Sequence, residues 1–569
     1  MNEAQQKIEA ALEKLTAPGG EFPVGEAVIR GQTYKVFTTA PKNLLEYYQI
    51  SKLFHPNVDF LVYEGERWTQ TEVYAEAALL AHALRDRYGI EKGDRVAIAM
   101  RNYPEWIFAF MAVTGLGAVA VPMNAWWTEE ELDYGLRDSG ARLVIADRER
   151  ARRIAASAKK HNAPIIGVRC GDDMPEGVTE CRTLMRSVVA AEFPPVEVGP
   201  EDDATIFYTS GSTGFPKGVV STHRGILSTV MSWIALTRAR QMAEGTLGQP
   251  PKFPPSTLMT VPLFHVTGSH SLFLMSLIGG RKIVLMYKWD PQAALRLIEA
   301  EKVTNFTGVP TMSWELLHQP NLDSFNLESL QDIGAGGAAR PAAHVKMLKD
   351  RFPNASPGSG YGLTETNALG AINVGDAYLE RPGSTGRPTP PLVEMKIVDE
   401  DGTTLPAGKV GEILIRTAAN FRCYWNKPEE TAEALSPDGW FRSGDLGYLD
   451  EEGFLFIVDR AKDIVIRGGD NISCLEVEAV LYHHPDVFEA SVFGLPDERL
   501  GETLNAVVVP KPGTAPSPDA LAEYVGRHLA SFKIPSRIWL QPEQLPRTAS
   551  GKIYKREIRA KKMQELKLG

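Results

Sequence analysis

The chain has 569 residues, more than a single hydrophobic core normally organises, so the sequence predicts several folding units. The hydrophobic fraction of 43%, the charged fraction of 23% and the formal net charge of −10 are typical of a globular protein, and no basic tract is present. These values argue against a nucleic-acid-binding protein. Because the net charge is negative, a bound polyanion would have to be neutralised by cationic side chains close to its binding site.

Cysteine content and hydropathy bear on where the chain works. The cysteines are Cys170, Cys181, Cys423 and Cys474. Because no two of them form a Cys-x-x-Cys pair, neither a zinc site nor a disulfide framework is predicted, and the cytoplasm is the simplest location. The polar N-terminus lacks the apolar region of a signal peptide. The apolar stretch Ile107–Met123 is interrupted by Pro122 and glycines, so we interpret it as a buried helix followed by a buried strand. Membrane-surface association and homodimer formation stay open.

The first half of the chain alternates short apolar runs with longer helical patterns. Strands are predicted at Val96–Met100, Leu143–Ala146, Ile165–Val168, Ile283–Leu285 and Val303–Phe306. Helices are predicted at Glu72–Tyr88, Glu129–Asp138 and Pro291–Glu301. This alternation predicts an α/β fold with parallel sheets covered by helices.

The pattern changes after about Pro390. Strands are predicted at Val393–Val398, Glu412–Arg416 and Phe454–Val458, with turn residues near them. They favour a small antiparallel, barrel-like portion over residues 390–459. A smaller α+β pattern follows, with helices at Leu475–His483 and Asp519–Leu529 and strands at Ala490–Phe493 and Asn505–Val509. A domain boundary is therefore predicted within Asp459–Lys462.

The segment with the strongest chemical pattern follows a strand-like run, Thr205–Tyr208. It consists of Thr209, Ser210, Gly211, Ser212, Thr213, Gly214, Phe215, Pro216 and Lys217. The glycines let backbone N–H groups approach an anion, the hydroxyls add donors, and the lysine supplies a charge that a triphosphate could use. The segment is not a Walker A loop, because Gly218 follows Lys217 where that pattern requires Ser or Thr. A flexible polar surface turn is the alternative interpretation.

A second glycine-rich segment, Gly334–Ala339, follows Leu330–Ile333 and precedes a helix predicted from Pro341. Its spacing fits the dinucleotide-binding pattern G-x-G-x-x-A. However, no convincing βαβ unit with an acidic residue about 20 positions on follows it. A nicotinamide or flavin site is therefore disfavoured.

Three further segments carry charges that suit ATP chemistry. Glu365, in YGLTET, is a hard oxygen ligand of the kind that Mg²⁺ accepts. Asp445, in GWFRSGD, is an acceptor suited to ribose hydroxyls, and Lys552 ends the segment PRTASGK. Taken one at a time, each is more simply explained as a solvated surface residue.

The order of these segments resembles that of the adenylate-forming superfamily. YTSGSTGFPKG, YGLTE, GWFRSGDLG, DRAKDIVIRGGDNI and PRTASGK follow one another, and the resemblance spans roughly Leu45 to Arg559. It implies ATP and Mg²⁺ as cofactors, a carboxylic acid as substrate and coenzyme A (CoA) as co-substrate. It also implies an N-terminal domain at residues 1–459, a hinge at 460–462 and a smaller mobile C-terminal domain at 463–569.

The resemblance implies roles for individual residues. Nucleotide contacts are implied for Thr209, Ser210, Gly211, Ser212, Thr213, Gly214, Lys217, Gly336, Gly337, Ala338, Gly360, Tyr361, Gly362, Asp445 and Arg460. Lys552 matches the catalytic lysine, Thr364 a contact of the α-phosphate, and Glu365 the Mg²⁺ ligand. His265 matches a gate beside the acyl site, and Lys462 matches the hinge. Contacts with CoA after a rotation of the C-terminal domain are implied for Gly468, Gly469, Asp470, Arg499 and Lys533.

The activity that the resemblance implies is that of an acyl-CoA synthetase, which forms an acyl-adenylate and then a thioester. Loading of a carrier protein and a non-catalytic ATP-binding relative are the alternatives; Glu365, Arg460 and Lys552 together argue against the second. Small residues at Gly334–Ala338 predict room for an acid larger than acetate. A medium- or long-chain fatty acid, or an aryl or arylalkyl acid, is expected. Cys474 is expected to be structural.

Overall fold

The computed structural model describes residues 3–209, 216–338, 340–461, 463–467, 470–548 and 551–566. The first elements are α1 (Glu3–Thr16), β1 (Val24–Ile29), β2 (Gln32–Phe37), α2 (Leu44–Phe54), β3 (Asp59–Tyr63), β4 (Glu66–Thr69), α3 (Gln70–Tyr88), β5 (Arg95–Ala99), α4 (Pro104–Gly115) and β6 (Val119–Pro122). They are followed by α5 (Glu129–Ser139), β7 (Leu143–Asp147), α6 (Arg148–Lys160), β8 (Ile165–Val168), β9 (Thr179–Glu180), α7 (Cys181–Arg186), β10 (Asp203–Thr209), β11 (Lys217–Thr222) and α8 (His223–Ala243).

The middle of the chain contains β12 (Ser256–Met259), a π-helical segment (Thr267–Leu274), α9 (Met275–Ile278), β13 (Lys282–Leu285), α10 (Pro291–Glu301), β14 (Asn305–Gly308), α11 (Pro310–Leu317), β15 (Asp332–Gly336), α12 (Ala342–Arg351), β16 (Ser356–Tyr361), β17 (Ala371–Val374), α13 (Asp376–Glu380) and β18 (Arg387–Pro388). The last part contains β19 (Glu394–Val398), β20 (Gly411–Arg416), β21 (Cys423–Tyr424), α14 (Pro428–Ala434), β22 (Phe441–Leu449), β23 (Leu455–Arg460), β24 (Val465–Arg467), β25 (Asp470–Ile472), α15 (Cys474–His483), β26 (Val487–Asp497), β27 (Gly501–Pro510), α16 (Pro518–His528), β28 (Arg537–Leu540) and α17 (Lys555–Glu565).

The first large sheet has the strand order β21-β11-β10-β6-β5-β7-β8-β9. Strands β5, β6, β7 and β8 pair in parallel, as predicted, and α4, α5 and α6 connect them. Reciprocal capping boxes fix the starts of two covering helices, Thr69 with Glu72 at α3 and Thr128 with Glu131 at α5. The stretch Ile107–Met123 contains most of α4 and all of β6, which confirms a buried helix followed by a buried strand.

The second large sheet has the order β18-β17-β16-β15-β14-β12-β13-β3-β4, and its central strands from β16 to β13 run in parallel. The largest hydrophobic cluster includes residues of both sheets and of α3 and α4. In it, Trp106 stacks on Phe110 with ring centroids 5.1 Å apart. Both sheets therefore share one core, and the residues that follow their parallel strands are brought close to each other.

Strand β15 contains the first three residues of the glycine-rich segment. It continues through Gly336, because it pairs with β14 and β16 on either side. At Gly334 a Cβ would lie 2.6 Å from Oγ1 of Thr307 on β14. This glycine therefore permits close packing of neighbouring strands, and its missing side chain does not enlarge a pocket.

The last part of the chain forms two smaller sheets. Strands β19, β20, β22 and β23 form a four-stranded antiparallel sheet, which confirms the antiparallel character predicted after residue 390. Beyond it, β25-β24-β27-β26, with β28 alongside β27, forms a five-stranded sheet. Residues of this sheet and of α15 and α16 enclose a hydrophobic core of their own, which includes Val477, Leu504 and Leu521. The α/β fold with a large N-terminal and a small C-terminal domain is thus as predicted.

Candidate functional site

The hairpin of β10 and β11 carries the predicted anion loop. The strands are antiparallel, with Thr209 opposite Lys217, and Thr209 Oγ1 donates a hydrogen bond to the Lys217 carbonyl at 3.5 Å. Ser210, Gly211, Ser212, Thr213 and Gly214 lie outside the described residues. The loop therefore connects two strands, whereas a Walker A loop joins a strand directly to a helix.

Glu365 lies in a single 3₁₀ turn, Thr364–Thr366, just beyond the end of β16. The residue is 9% exposed, and its Oε1 accepts a hydrogen bond from the Tyr424 hydroxyl at 2.8 Å. The amino group of Lys217 lies 5.0 Å from the centroid of the Tyr424 ring. Burial raises the pKa of Glu365. Tyr424 thus links the lysine of the anion loop to the predicted metal ligand.

The turn before Glu365 depends on glycine. At Gly362 a Cβ would lie 2.3 Å from the Ala368 carbonyl oxygen, so the two backbone segments approach closely only because a side chain is absent. At Gly360, which pairs with Gly336 of β15, no heavy atom of the described residues lies within 4 Å of the position of a Cβ. The sequence predicted room at Gly334–Ala338; the open space is beside Gly336 and Gly360.

Asp445 connects two of the predicted nucleotide-binding residues. It is 4% exposed, and Oδ2 accepts a hydrogen bond from the Tyr361 hydroxyl at 2.8 Å. Its other oxygen pairs with Arg460 Nε at 3.1 Å, because Asp445 on β22 is opposite Arg460 on β23. Burial, and next the charge of Asp445, raises the pKa of Tyr361 far above its usual range, so the phenol keeps its proton. The arrangement presents a fixed carboxylate of the kind that accepts hydrogen bonds from a diol.

Lys552, in the C-terminal part of the chain, lies near the Asp445–Arg460 pair. At Gly337, where φ is +76°, a Cβ would lie 2.9 Å from Lys552 Cε and 3.1 Å from Nζ. Burial, and next the charge of Arg460, lowers the pKa of Lys552 to about 8, while Asp445 opposes the shift. The amine therefore lies against the backbone of Gly337, close enough to the Asp445–Arg460 pair for both charges to act on it.

His265 lies in the loop after β12, near Lys552. Its Nε2 is buried and has no hydrogen-bond partner among the described residues. Burial, and next the charge of Lys552, lowers the pKa of His265 to about 3, so the ring is neutral at physiological pH. A buried ring nitrogen without a partner is suited to a hydrogen bond with a bound molecule.

Two buried polar side chains near the site hold its loops through contacts that the sequence did not reveal. Asn102 accepts from Leu263 N at 2.9 Å and donates to the Val261 carbonyl at 3.1 Å, which fixes the loop that leads to His265. Asn367 accepts from His270 Nε2 at 3.1 Å and donates to the Ala419 carbonyl at 2.8 Å. Their partners are distant in sequence, so no local pattern separates these residues from ordinary polar loop residues.

The residues predicted to meet CoA are spread over the C-terminal part. Lys462, Gly468 and Gly469 lie outside the described residues. Asp470 is exposed at the start of β25, and Arg499 is exposed in the turn between β26 and β27. Lys533 is paired with Glu476 at 2.6 Å. Cys474 is buried, and burial raises the pKa of its thiol, in keeping with a structural role.

A separate cleft of about 590 Å³ opens at the carboxyl ends of β5, β7, β8 and β13. Its lining includes three carboxylates, Tyr103, Tyr287 and the arginines Arg148, Arg152, Arg153 and Arg169. The chain passes from β5 to β6 on one side and then returns to β7 on the other side of β5. Such a change of direction creates a crevice that open α/β sheets use for ligands.

The described residues contain no cluster of three or more acidic, histidine or cysteine side chains that could hold a metal by itself. A Mg²⁺ ion held by one carboxylate and completed by phosphate oxygens and water needs no such cluster, and buried Glu365 fits that requirement. No helix in the same described ranges is both long and apolar enough to cross a bilayer.

Comparison with known proteins gives matches to both parts of the chain. The sequence model of the AMP-binding enzyme family matches residues 52–425, and that of the AMP-binding enzyme C-terminal domain matches residues 476–552. A feruloyl-CoA synthase from an Amycolatopsis species is 35% identical over 89% of this chain and 96% of its own length. A long-chain-fatty-acid–CoA ligase from Bacillus subtilis is 33% identical, with 88% and 91% covered. The crystal structure of the anthranilate CoA ligase AuaEII with anthranoyl-AMP superposes with a TM-score of 0.82 at 26% identity, covering 92% of this chain and 98% of that one.

Proposed function

Because the chain belongs to the AMP-binding, adenylate-forming family and is an AMP-forming acid–CoA ligase of that family, we propose that it activates a hydrophobic monocarboxylic acid, aromatic or aliphatic, for transfer to CoA. The observation that carries the proposal is the convergence of Lys552, Gly337 and neutral His265 beside the Asp445–Arg460 pair. The Lys552 amine supplies a positive charge, Gly337 leaves the backbone open, and the Asp445 carboxylate can accept hydrogen bonds from ribose hydroxyls. An acid and a nucleotide would require these three features together.

In the proposed first step, a carboxylate oxygen attacks the α-phosphorus of ATP. The new O–P bond forms as the bond to pyrophosphate breaks, and repulsion between two anions is the main obstacle. The protonated Lys552 amine offsets this repulsion, and Asp445 holds the ribose hydroxyls. Mg²⁺ bound at Glu365 would neutralise phosphate charge.

In the proposed second step, the CoA thiolate attacks the acyl carbon of the mixed anhydride. The C–S bond forms and the bond to AMP breaks, so acyl-CoA and AMP leave together with no redox change. Lys552 occupies the space beside the nucleotide and must leave before a thiol can enter. We therefore propose a hinge at 460–462 between domains at residues 1–459 and 463–569.

The acyl group is proposed to extend beside Gly336 and Gly360. Within the described part of the chain, no side chain fills the position of a Cβ at Gly360, and the nearest atoms to one at Gly336 are 3.9 Å away. The neighbouring His265 is neutral, so it does not supply a cation for a second carboxylate. A neutral side chain at this position favours an aryl or fatty chain over a dicarboxylic acid.

The arginine-rich cleft is proposed to receive the phosphate groups of CoA. Its lining residue Tyr103 directly follows Asn102, which fixes the loop that leads to His265, so adjacent residues connect the cleft with that loop. Arginine is well suited to phosphate because its planar fork forms charge-assisted hydrogen bonds. In the second step, the C-terminal residues Asp470, Arg499 and Lys533 would complete the CoA site after the rotation.

Replacing both Arg148 and Arg152 with glutamine is expected to raise the KM for CoA about 10-fold or more, the loss of one or two charge-assisted hydrogen bonds. Pyrophosphate release without CoA should stay at the wild-type rate. Steady-state kinetics of both half-reactions measures this. Arg142→Gln is the matched control, since this arginine precedes β7 and is paired with Asp94 at 2.5 Å. An unchanged KM for CoA would remove the cleft from the proposed site.

The proposed function is tested by pyrophosphate release with a panel of acids that includes ferulate, 4-coumarate, decanoate, palmitate, acetate and malonate. Acyl-CoA formation is followed by mass spectrometry with and without CoA. We expect pyrophosphate and a CoA thioester with aryl or longer aliphatic acids, and little with acetate or malonate. Pyrophosphate without a CoA thioester would favour a carrier-protein acceptor. No pyrophosphate with any acid would contradict adenylation.

A further inference from the structure

Arg547 occupies a central position in the loop that presents Lys552. Its Nη1 donates to the Gly551 carbonyl at 3.1 Å, and its Nη2 pairs with Glu315 Oε1 at 3.1 Å and also with Glu489. The Arg547 side chain is 18% exposed, and those of Glu315 and Glu489 are 15% and 2% exposed. One guanidinium therefore joins the residue before Lys552 to a carboxylate in each domain.

Glu315 is held in place for this contact. It lies on α11, and its Oε2 accepts a hydrogen bond from Trp289 Nε1 at 2.6 Å, which leaves Oε1 for Arg547. Trp289 is itself fixed by stacking on Phe306, with ring centroids 5.8 Å apart. The carboxylate is thus oriented before the C-terminal domain arrives, which lowers the entropic cost of the contact.

A second residue of α11 acts on the same carbonyl. Thr311, one helical turn before Glu315, donates from Oγ1 to the Gly551 carbonyl at 3.1 Å. Gly551 has φ of +84°, and a Cβ there would lie 3.1 Å from Val309. The peptide before Lys552 is therefore held from two sides, by Arg547 and by Thr311.

We propose that Glu315, oriented by Trp289, is a positioning residue that clamps Arg547 and so holds Lys552 in the adenylation site. This inference rests on the proposed role of Lys552. When the C-terminal domain rotates for the second half-reaction, the contact with Glu315 breaks. Glu489 belongs to the C-terminal domain and its Oε2 accepts from Leu545 N at 2.8 Å, so Arg547 keeps a partner throughout. The clamp can therefore open without leaving the Arg547 guanidinium unpaired.

The expected effect is confined to one half-reaction. Glu315→Gln keeps the size of the side chain and removes its charge, so Lys552 loses its precise placement while the fold is retained. Pyrophosphate release is expected to fall about 10- to 100-fold, the usual cost of a misplacement near 1 Å. Thioester formation from supplied acyl-adenylate should be unchanged or faster, because it requires the clamp to be open. The probe acid is the member of the panel that wild type adenylates fastest.

Related variants separate positioning from a general loss of stability. Trp289→Phe removes the indole donor but keeps an aromatic ring on Phe306, so a smaller loss in the same half-reaction is expected. Arg547→Lys should recover part of the activity lost in Arg547→Ala, since it keeps the charge but not the fork. Glu394→Gln is the control: Glu394 pairs with Arg416 at 2.8 Å within one antiparallel sheet, and neither half-reaction should change.

The outcomes distinguish this inference from the proposed function. Lys552→Ala serves as the reference for loss of adenylation alone. If Glu315→Gln adenylates at the wild-type rate, or loses both half-reactions equally, the positioning role is wrong while the proposed function stands. If wild type adenylates no acid, the proposed function fails, and hydrogen exchange then tests the clamp alone. The α11 amides should exchange faster in Glu315→Gln than in wild type or Glu394→Gln, and equal rates would overturn it.

Discussion

Replacing Lys552 with alanine is expected to slow pyrophosphate release by about 10²- to 10³-fold, the cost of removing one preorganised donor from developing charge. The amine lies against Gly337 and beside the Asp445–Arg460 pair, where two anions would have to meet. Conversion of supplied acyl-adenylate to thioester should persist, because the lysine must leave before the thiol enters. Single-turnover measurements of the two half-reactions test this, and equal loss of both would contradict the two-step use of the site.

The pH dependence of pyrophosphate release tests whether the charge of Lys552 is required. Burial and Arg460 lower the pKa of the amine to about 8, so the charged form is lost as the pH rises through that value. Since kcat/KM reports groups of the free enzyme, kcat/KM for ATP in pyrophosphate release should decline above about pH 8. Lys552→Arg stays charged, so its residual activity should lack this decline. If the decline persists in Lys552→Arg, another group causes it.

The sequence predicted the parts of the site that lie within short segments. Glu365, Asp445 and Lys552 stand out because each belongs to a segment rich in glycine or turn residues, and their order along the chain resembles one superfamily. The pairing of Asp445 with Arg460 follows from the register of β22 and β23, two strands that are close in sequence. Local pattern and near neighbours were enough to single out these residues as candidates.

Other parts of the site depend on contacts between distant segments. Tyr424 lies 59 residues from Glu365, and the bond from Arg547 to Glu315 spans 232 residues. Nothing in the local sequence separates either Tyr424 or Glu315 from an ordinary surface or core residue. The same limit explains the error at Gly334: only the neighbouring strand reveals that Thr307 fills the space. Residues that orient the reacting groups were therefore the ones that the sequence left unidentified.

Replacing Glu365 with glutamine is expected to lower adenylation about 100-fold or more, since even outer-shell partners of metal ligands cost about 10- to 100-fold. The amide has nearly the same shape but lacks the charge and the hard anionic oxygen that Mg²⁺ requires. The concentration of Mg²⁺ that gives half-maximal pyrophosphate release should rise with the loss. Because burial raises the pKa of Glu365, wild type should also need more Mg²⁺ as the pH falls, and the glutamine variant should not.

Tyr424→Phe separates the role of the Glu365 charge from that of its orientation. The Tyr424 hydroxyl donates to Glu365 Oε1 at 2.8 Å, so its removal leaves the carboxylate charged but less constrained, with its pKa higher still because a donor to the charged form is lost. A loss smaller than that of Glu365→Gln is expected, and it should grow as the pH falls. If Glu365→Gln changes the maximal rate but leaves the Mg²⁺ dependence at the wild-type value, Glu365 acts on the fold of its turn and another group binds the metal.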